Sequence, residues 1–143
     1  MTPFPVRLAS VALAGLMAAL NPVAFTSVHH GTQSQIEDAR EVAVRTAAEW
    51  QALWKEHAPP SAKLPGVDFA KDMVVGVFLG TRPTGGYSVD IVSVESSGSE
   101  TVVIYRETQP ARDAMLTQAL TSPVHLVRIP QQKGAVRFVR AQK

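Results

Sequence analysis

The stretch Met73-Val74-Val75-Gly76-Val77-Phe78-Leu79 decides the fold. No residue in it is polar, so neither face of the segment is meant for water, and its three valines suit a pleated strand. A run this short reads as a strand rather than a helix, and apolarity on both sides makes it the central strand of a covered sheet. Asp68 and Asp72, which flank Phe69 just upstream, are turn- and cap-forming acids of the preceding loop.

Working back from this strand, Thr46-Ala-Ala-Glu49 is a capping box that opens a helix of about 47–57, and Pro59-Pro60 ends it. Trp50, Leu53 and Trp54 fall at i, i+3 and i+4, the spacing of one buried stripe. Before the helix, Arg40 to Thr46 alternates Val42, Val44 and Thr46 with Glu41, Ala43 and Arg45, the period of a half-buried strand. Residues 28–39 are polar without periodicity and read as a flexible lead-in.

Working forward, Tyr87 to Glu95 alternates through Val89 and Ile91, then changes phase to Val92 and Val94, which signals a bulge. Ser96-Ser-Gly-Ser99 turns the chain into Thr101–Arg106. Residues 111–121 have helical propensity among strands and are read as extended, with helix the alternative. Val124–Ile129 and Ala135–Val139, joined by Pro130-Gln-Gln-Lys-Gly134, are expected to pair as a C-terminal hairpin. The expected fold is α+β and mainly β: a small antiparallel sheet or sandwich of six to seven short strands with one packed helix, in a single domain over 40–143.

Between two of these strands lies Gly80-Thr81-Arg82-Pro83-Thr84-Gly85-Gly86-Tyr87. Pro83 presets a turn and the two glycines permit positive φ, so a hairpin loop of defined shape is expected, displaying Thr81, Arg82 and Thr84. Eight residues exceed what a hairpin needs, and a rigid loop held by a buried strand is a common place for recognition groups. Without Lys-Ser/Thr after the glycines, and leading into a strand, it is no phosphate-binding P-loop.

The stretch from Asp68-Phe69 through Val74 to Tyr87, followed by Thr121-Ser-Pro-Val-His-Leu-Val-Arg-Ile129 and Val136-Arg-Phe138, resembles the C-terminal domain of PrcB-type protease complex subunits over residues 68–139. The resemblance implies an exported, non-catalytic subunit that associates with a protease. The loop itself, whose Gly-Gly backbone can approach a partner closely, is the expected contact: Thr81, Arg82, Pro83, Thr84, Gly85, Gly86 and Tyr87, with Thr121, Ser122 and Pro123 alongside. The chain departs from the lipoprotein member of that family, since it has no cysteine to carry lipid, and Val124 stands where relatives often have an aromatic. The loop order is also similar to that of chagasin-type cysteine protease inhibitors, which gives inhibition as an alternative.

Enzyme chemistry finds little support. Nucleophilic catalysis needs a nucleophile, a base and a group orienting the base. No G-x-S-x-G occurs, and His125 alternates with Val124 and Leu126 in a strand, so a hydrolase centred on His125 is the lesser alternative. Asp68, Asp72, Asp90 and Glu95 are not tied into a carboxylate pair. No His-x-His or His-x₃-His spacing lies on an expected element, so neither metal nor cofactor is expected.

Leu8 to Leu20 carries no charge and follows a seven-residue start holding only Arg7, the order of a secretory signal peptide. Thirteen such residues span roughly 20 Å of helix, short of the ~30 Å hydrocarbon core. Residues 1–27 are therefore expected to be a signal peptide cut somewhere in 20–27, with an uncleaved anchor the alternative, and the product periplasmic or secreted without a stable membrane anchor. A cut after Ser27 would leave Val28-His29-His30, whose third-position histidine can chelate Cu(II) or Ni(II), but a solvated leader ahead of the first strand is the expected reading. From Val28 on, 13 Lys and Arg face 12 Asp and Glu, a net charge of +1 that lacks the basic footprint of a nucleic-acid binder. The charge is polarised, −4 over residues 28–100 and +5 over 101–143, as internal complementarity would have it.

Overall fold

The structure, a computed structural model, describes residues 20–142. Its strands are β1 (Asn21–Pro22), β2 (Thr26–Gly31), β3 (Arg40–Val44), β4 (Asp72–Phe78), β5 (Ser88–Ser96), β6 (Glu100–Thr108), β7 (Val124–Pro130) and β8 (Ala135–Arg140). One helix, α1 (Ala47–His57), is found among the described residues. The strands form two four-stranded sheets, ordered β1-β5-β6-β8 and β2-β7-β4-β3, antiparallel except where β8 runs parallel to β6. The protein is thus α+β and mainly β, as its sequence leads one to expect.

The apolar run of β4 is explained by two cores. Val74 and Phe78 face a core shared with Trp50, Leu53 and Trp54 of α1, while Met73, Val75, Val77 and Leu79 face a second core between the sheets. β7 divides in the same way, with Val124 and Leu126 toward the helix and Val127 and Ile129 toward the other sheet. Three layers result: helix, sheet, sheet. Gly76 sits where a Cβ would lie 2.2 Å from Leu126 Cδ2, so the Leu126 side chain packs over β4 in space that a side chain at 76 would take.

The helix starts on its capping box: the Glu49 N–H donates to Thr46 Oγ1 at 3.2 Å, and Glu49 Oε1 accepts from the Thr46 N–H at 3.2 Å. Trp50, Leu53, Trp54 and His57 are its buried stripe. The phase change in β5 is a bulge, with the register to β6 shifting between Ile91 and Ser93 and leaving Val92 exposed.

Four expectations change. Val124–Ile129 and Ala135–Val139 do not form a hairpin: both edges of β7 are taken, by β2 and β4, so the chain crosses to the other sheet and β8 adds beside β6. Gly134, at φ 84°, allows that crossing by passing where a Cβ would be 2.2 Å from the Ser99 carbonyl oxygen. The loop after β4 is likewise no hairpin loop, because β4 already pairs with β3 and β7; it carries the chain between sheets. Residues 111–120 form neither helix nor strand. Lastly, residues 28–31 are not a flexible lead-in but the end of β2, which pairs with β7 from Thr26↔Arg128 to Gly31↔Val124.

The start of the expected signal peptide, residues 1–19, lies outside the described residues, but its expected end does not. Asn21 and Pro22 pair with Ser96 and Glu95, the Val23 N–H donates to the Val94 carbonyl at 2.8 Å, and Val23 and Phe25 pack against the inter-sheet core. No helix among the described residues is long and apolar enough to cross a membrane.

Candidate functional site

The loop that follows β4 is held along most of its length. The Leu79 N–H donates to the Pro123 carbonyl at 3.0 Å and the Thr81 N–H to the Glu37 carbonyl at 3.0 Å. Arg82 and Thr121 exchange both backbone hydrogen bonds, at 2.7 and 3.0 Å, and the Thr121 hydroxyl donates to the Thr84 carbonyl at 2.8 Å. The Gly85 N–H then donates to the Thr117 carbonyl at 3.0 Å. Gly86, at φ 91°, lies where a Cβ would come within 2.7 Å of Pro110 and 2.9 Å of Leu116. Left-handed φ and close approach both demand glycine there.

These bonds bring the two halves of the expected site together but give them different roles. Thr81, Pro83 and Gly86 are exposed, and Arg82, Thr84, Gly85 and Tyr87 are half-buried. Thr121, Ser122 and Pro123 are buried beneath them. The Ser122 N–H donates to the Thr32 carbonyl at 2.8 Å and its carbonyl accepts from the Ser34 N–H, so this segment is the support on which the loop rests.

Arg82 is not displayed. Its Nε and Nη2 reach Glu107 Oε2 at 3.1 and 3.0 Å, and Nη1 donates to the Leu79 carbonyl at 3.1 Å. Arg140 takes the other carboxylate oxygen at 2.8 Å, leaving the Glu107 side chain 3% exposed between two guanidinium groups. Such charge-assisted bonds fix geometry strongly. Arg82 therefore clamps the loop to β6, and Tyr87 lies with its ring centroid 5.9 Å from the Arg82 guanidinium carbon.

Beside the loop, residues 109–120 project a feature that periodicity could not reveal, because the segment has no regular structure. Met115 is fully exposed and Leu120 is 67% exposed, next to the Leu116 that packs toward Gly86. The sequence shows apolar residues in a stretch without any period, which does not say which of them face solvent.

His125 sits in a different cluster. Its Nδ1 accepts from the Ile91 N–H at 2.9 Å and its Nε2 lies 3.1 Å from Ser27 Oγ. An amide N–H can only donate, so the neutral ring carries its proton on Nε2 and donates to the serine. A base that activates Ser27 needs the opposite arrangement, and Asp90, which would have to orient it, lies instead 3.2 Å from His30 Nε2. Burial, then the neighbouring His30, push the His125 imidazole down to about 4. These contacts do not build a hydrolytic centre.

His30, Asp90 and His125 place potential metal-ligating atoms within 4.8 Å of one another. A ligand nitrogen must offer its lone pair to the ion. The lone pair of His125 is held by the Ile91 N–H, and His30 Nε2 lies 2.8 Å from the Val89 carbonyl, to which only a protonated nitrogen bonds. A metal would have to break both bonds and orphan a buried N–H, so the residues fit their present hydrogen bonds better than an ion.

Residues 73–130 match the family model described as PrcB C-terminal, from β4 through β7 with the loop after β4 and the 109–123 segment inside it. No curated protein and no solved structure matches the chain. Over residues 73–130, about two fifths of the chain, the protein is similar to the PrcB C-terminal family.

Proposed function

We propose that this is an exported, non-catalytic protein-binding module that associates with an extracytoplasmic protease through the exposed edge of the Thr81–Tyr87 loop, with Met115 and Leu120 as its apolar contacts. The observation that carries the reading is the pairing of a loop fixed by backbone bonds, the positive-φ Gly86 and the Arg82–Glu107 clamp with bare apolar side chains beside it. A surface already rigid loses little entropy on binding, and an exposed Met is an adaptable contact. The match to a protease-associated family supports the class of partner. Thr121, Ser122 and Pro123 contribute by holding the loop, and Arg82 by fixing it, rather than by touching the partner.

Export is part of the same proposal, with the cut placed before Asn21. A cut at Ser27 would remove β1, the core contacts of Val23 and Phe25, and the start of β2. The copper- and nickel-binding amino terminus would then not arise.

Affinity purification from the native envelope tests the binding reading, comparing wild type with a Pro83→Asp, Met115→Asp variant. Both positions are exposed, so the fold should be kept, which circular dichroism checks. The expected outcome is a protease recovered with the wild type and lost with the variant. Equal recovery by both, or no protease with either, contradicts it. If the loop acts instead as a chagasin-like wedge, the purified domain should inhibit the protease it recovers.

A further inference from the structure

The chain has four histidines, and all of them meet at one strand. His29 and His30 are neighbours on β2 and point to opposite faces. On the helix side, His29 lies edge-on to Trp54 at 5.5 Å and to the buried His57 at 4.7 Å. On the inter-sheet side, the His30 ring lies 4.2 Å from the buried His125 ring. Among the described residues β2 is an edge strand paired only with β7, and its ladder is interrupted by a register shift between Ser27 and His29.

The two buried rings are set up to be neutral. His125 Nδ1 accepts from the Ile91 N–H, and His30 Nε2 donates to the Val89 carbonyl, so the side chains from β2 and β7 satisfy β5 where that strand has no backbone partner on this side among the described residues. His57 Nδ1 lies 2.8 Å from Ser34 Oγ, which already accepts from the Ile36 N–H and so has its own proton free to donate to the ring. A proton on His125 Nδ1 would oppose the Ile91 N–H directly. A proton on His57 would place a cation against His29.

We propose that β2 is an acid-released strand: protonation of His57 and His125 frees Thr26–Gly31 from the edge of the domain and turns the β7 edge, Val124–Arg128, to solvent.

Among the described residues few other charges face these rings. His125 is faced by His30 and His29 from β2 and by Asp90 from β5, of which only Asp90 favours the proton. His57 is faced by His29; Glu56 beside it is turned to Arg40, whose Nη1 and Nη2 it holds at 3.0 and 2.8 Å. Burial, then histidine neighbours, hold both His57 and His125 at about 4 against an ordinary 6.5. The folded arrangement favours the neutral form, so the latch is whole above pH 6.5 and weakens as pH falls from 6.5 toward 4.

Hydrogen exchange of the full chain at pH 7.5 and 4.5, corrected for intrinsic rates, tests this. Protection of 27–31 should fall by roughly tenfold or more per histidine while Met73–Phe78 stays protected. In a His57→Asn, His125→Asn variant the amide oxygens can replace both Nδ1 acceptors without titrating, and protection of 27–31 should become nearly independent of pH. Unchanged protection of 27–31 in the wild type, equal loss in β4, or an acid response that survives in the variant overturns the proposal.

Discussion

Gly76 shows how much one missing side chain can carry. Alanine there would put its Cβ 2.2 Å from Leu126 Cδ2 and 3.1 Å from the His125 carbonyl oxygen; the leucine can shift, the backbone much less. Gly76→Ala should lower stability by about 1–3 kcal/mol, the usual cost of overpacking, read as a shift in the urea midpoint without a change in slope. The positive-φ role of Gly86 was legible in Thr-Gly-Gly-Tyr87, since only glycine adopts that backbone freely. The inward turn of Arg82 was not, because its carboxylate partner lies 25 residues away, in a strand whose neighbours no local pattern names.

Elements that carry a local signal were read correctly, while pairings between distant segments were not. Helix α1 carries its start signal, its buried stripe and its Pro59-Pro60 stop within one window. Thr46→Ala removes the acceptor for the Glu49 N–H and should cost about 1 kcal/mol in thermal or denaturant unfolding. Strand β4 announces its two cores by being apolar on both faces. Strand β2 announces nothing, since its bulge breaks the period and its anchoring side chains are His29 and His30 rather than Val or Ile. The C-terminal hairpin failed for a related reason: alternation tells which face is buried, not which edge is free. Only the full sheet order shows that β7 has none to offer β8.

At the scale of the whole molecule, the layered packing ties stability to pH. His57 and His125 are 2% and 6% exposed, and each titrates near 4 when folded against 6.5 when free. Their neutral forms hold β2 to the fold fully above pH 6.5, and that contribution, at most about 3 kcal/mol per histidine, is lost as pH falls toward 4; release of β2 takes up most of it, so the rest of the fold loses less. Urea unfolding from pH 7.5 to 4.5 should therefore show a falling midpoint that starts near 6.5. A flat profile would mean the rings are not held neutral.

The same packing builds the end of the sandwich on which the proposed binding rests. The loop after β4 and the 109–120 segment lie within the matched residues 73–130 and are braced by Thr121–Pro123 and the Arg82–Glu107–Arg140 cluster. Residues 81–87 and 121–123 could be singled out from sequence; Met115 and Leu120 could not, since exposure of an apolar residue leaves no mark in a stretch without periodicity. The most direct test is hydrogen exchange of the domain alone and in complex with the protease it recovers. Protection should rise at 81–87 and 113–120 and stay unchanged on α1 and β8. Protection confined to α1 or β8, with the loop as free as before, would contradict the account.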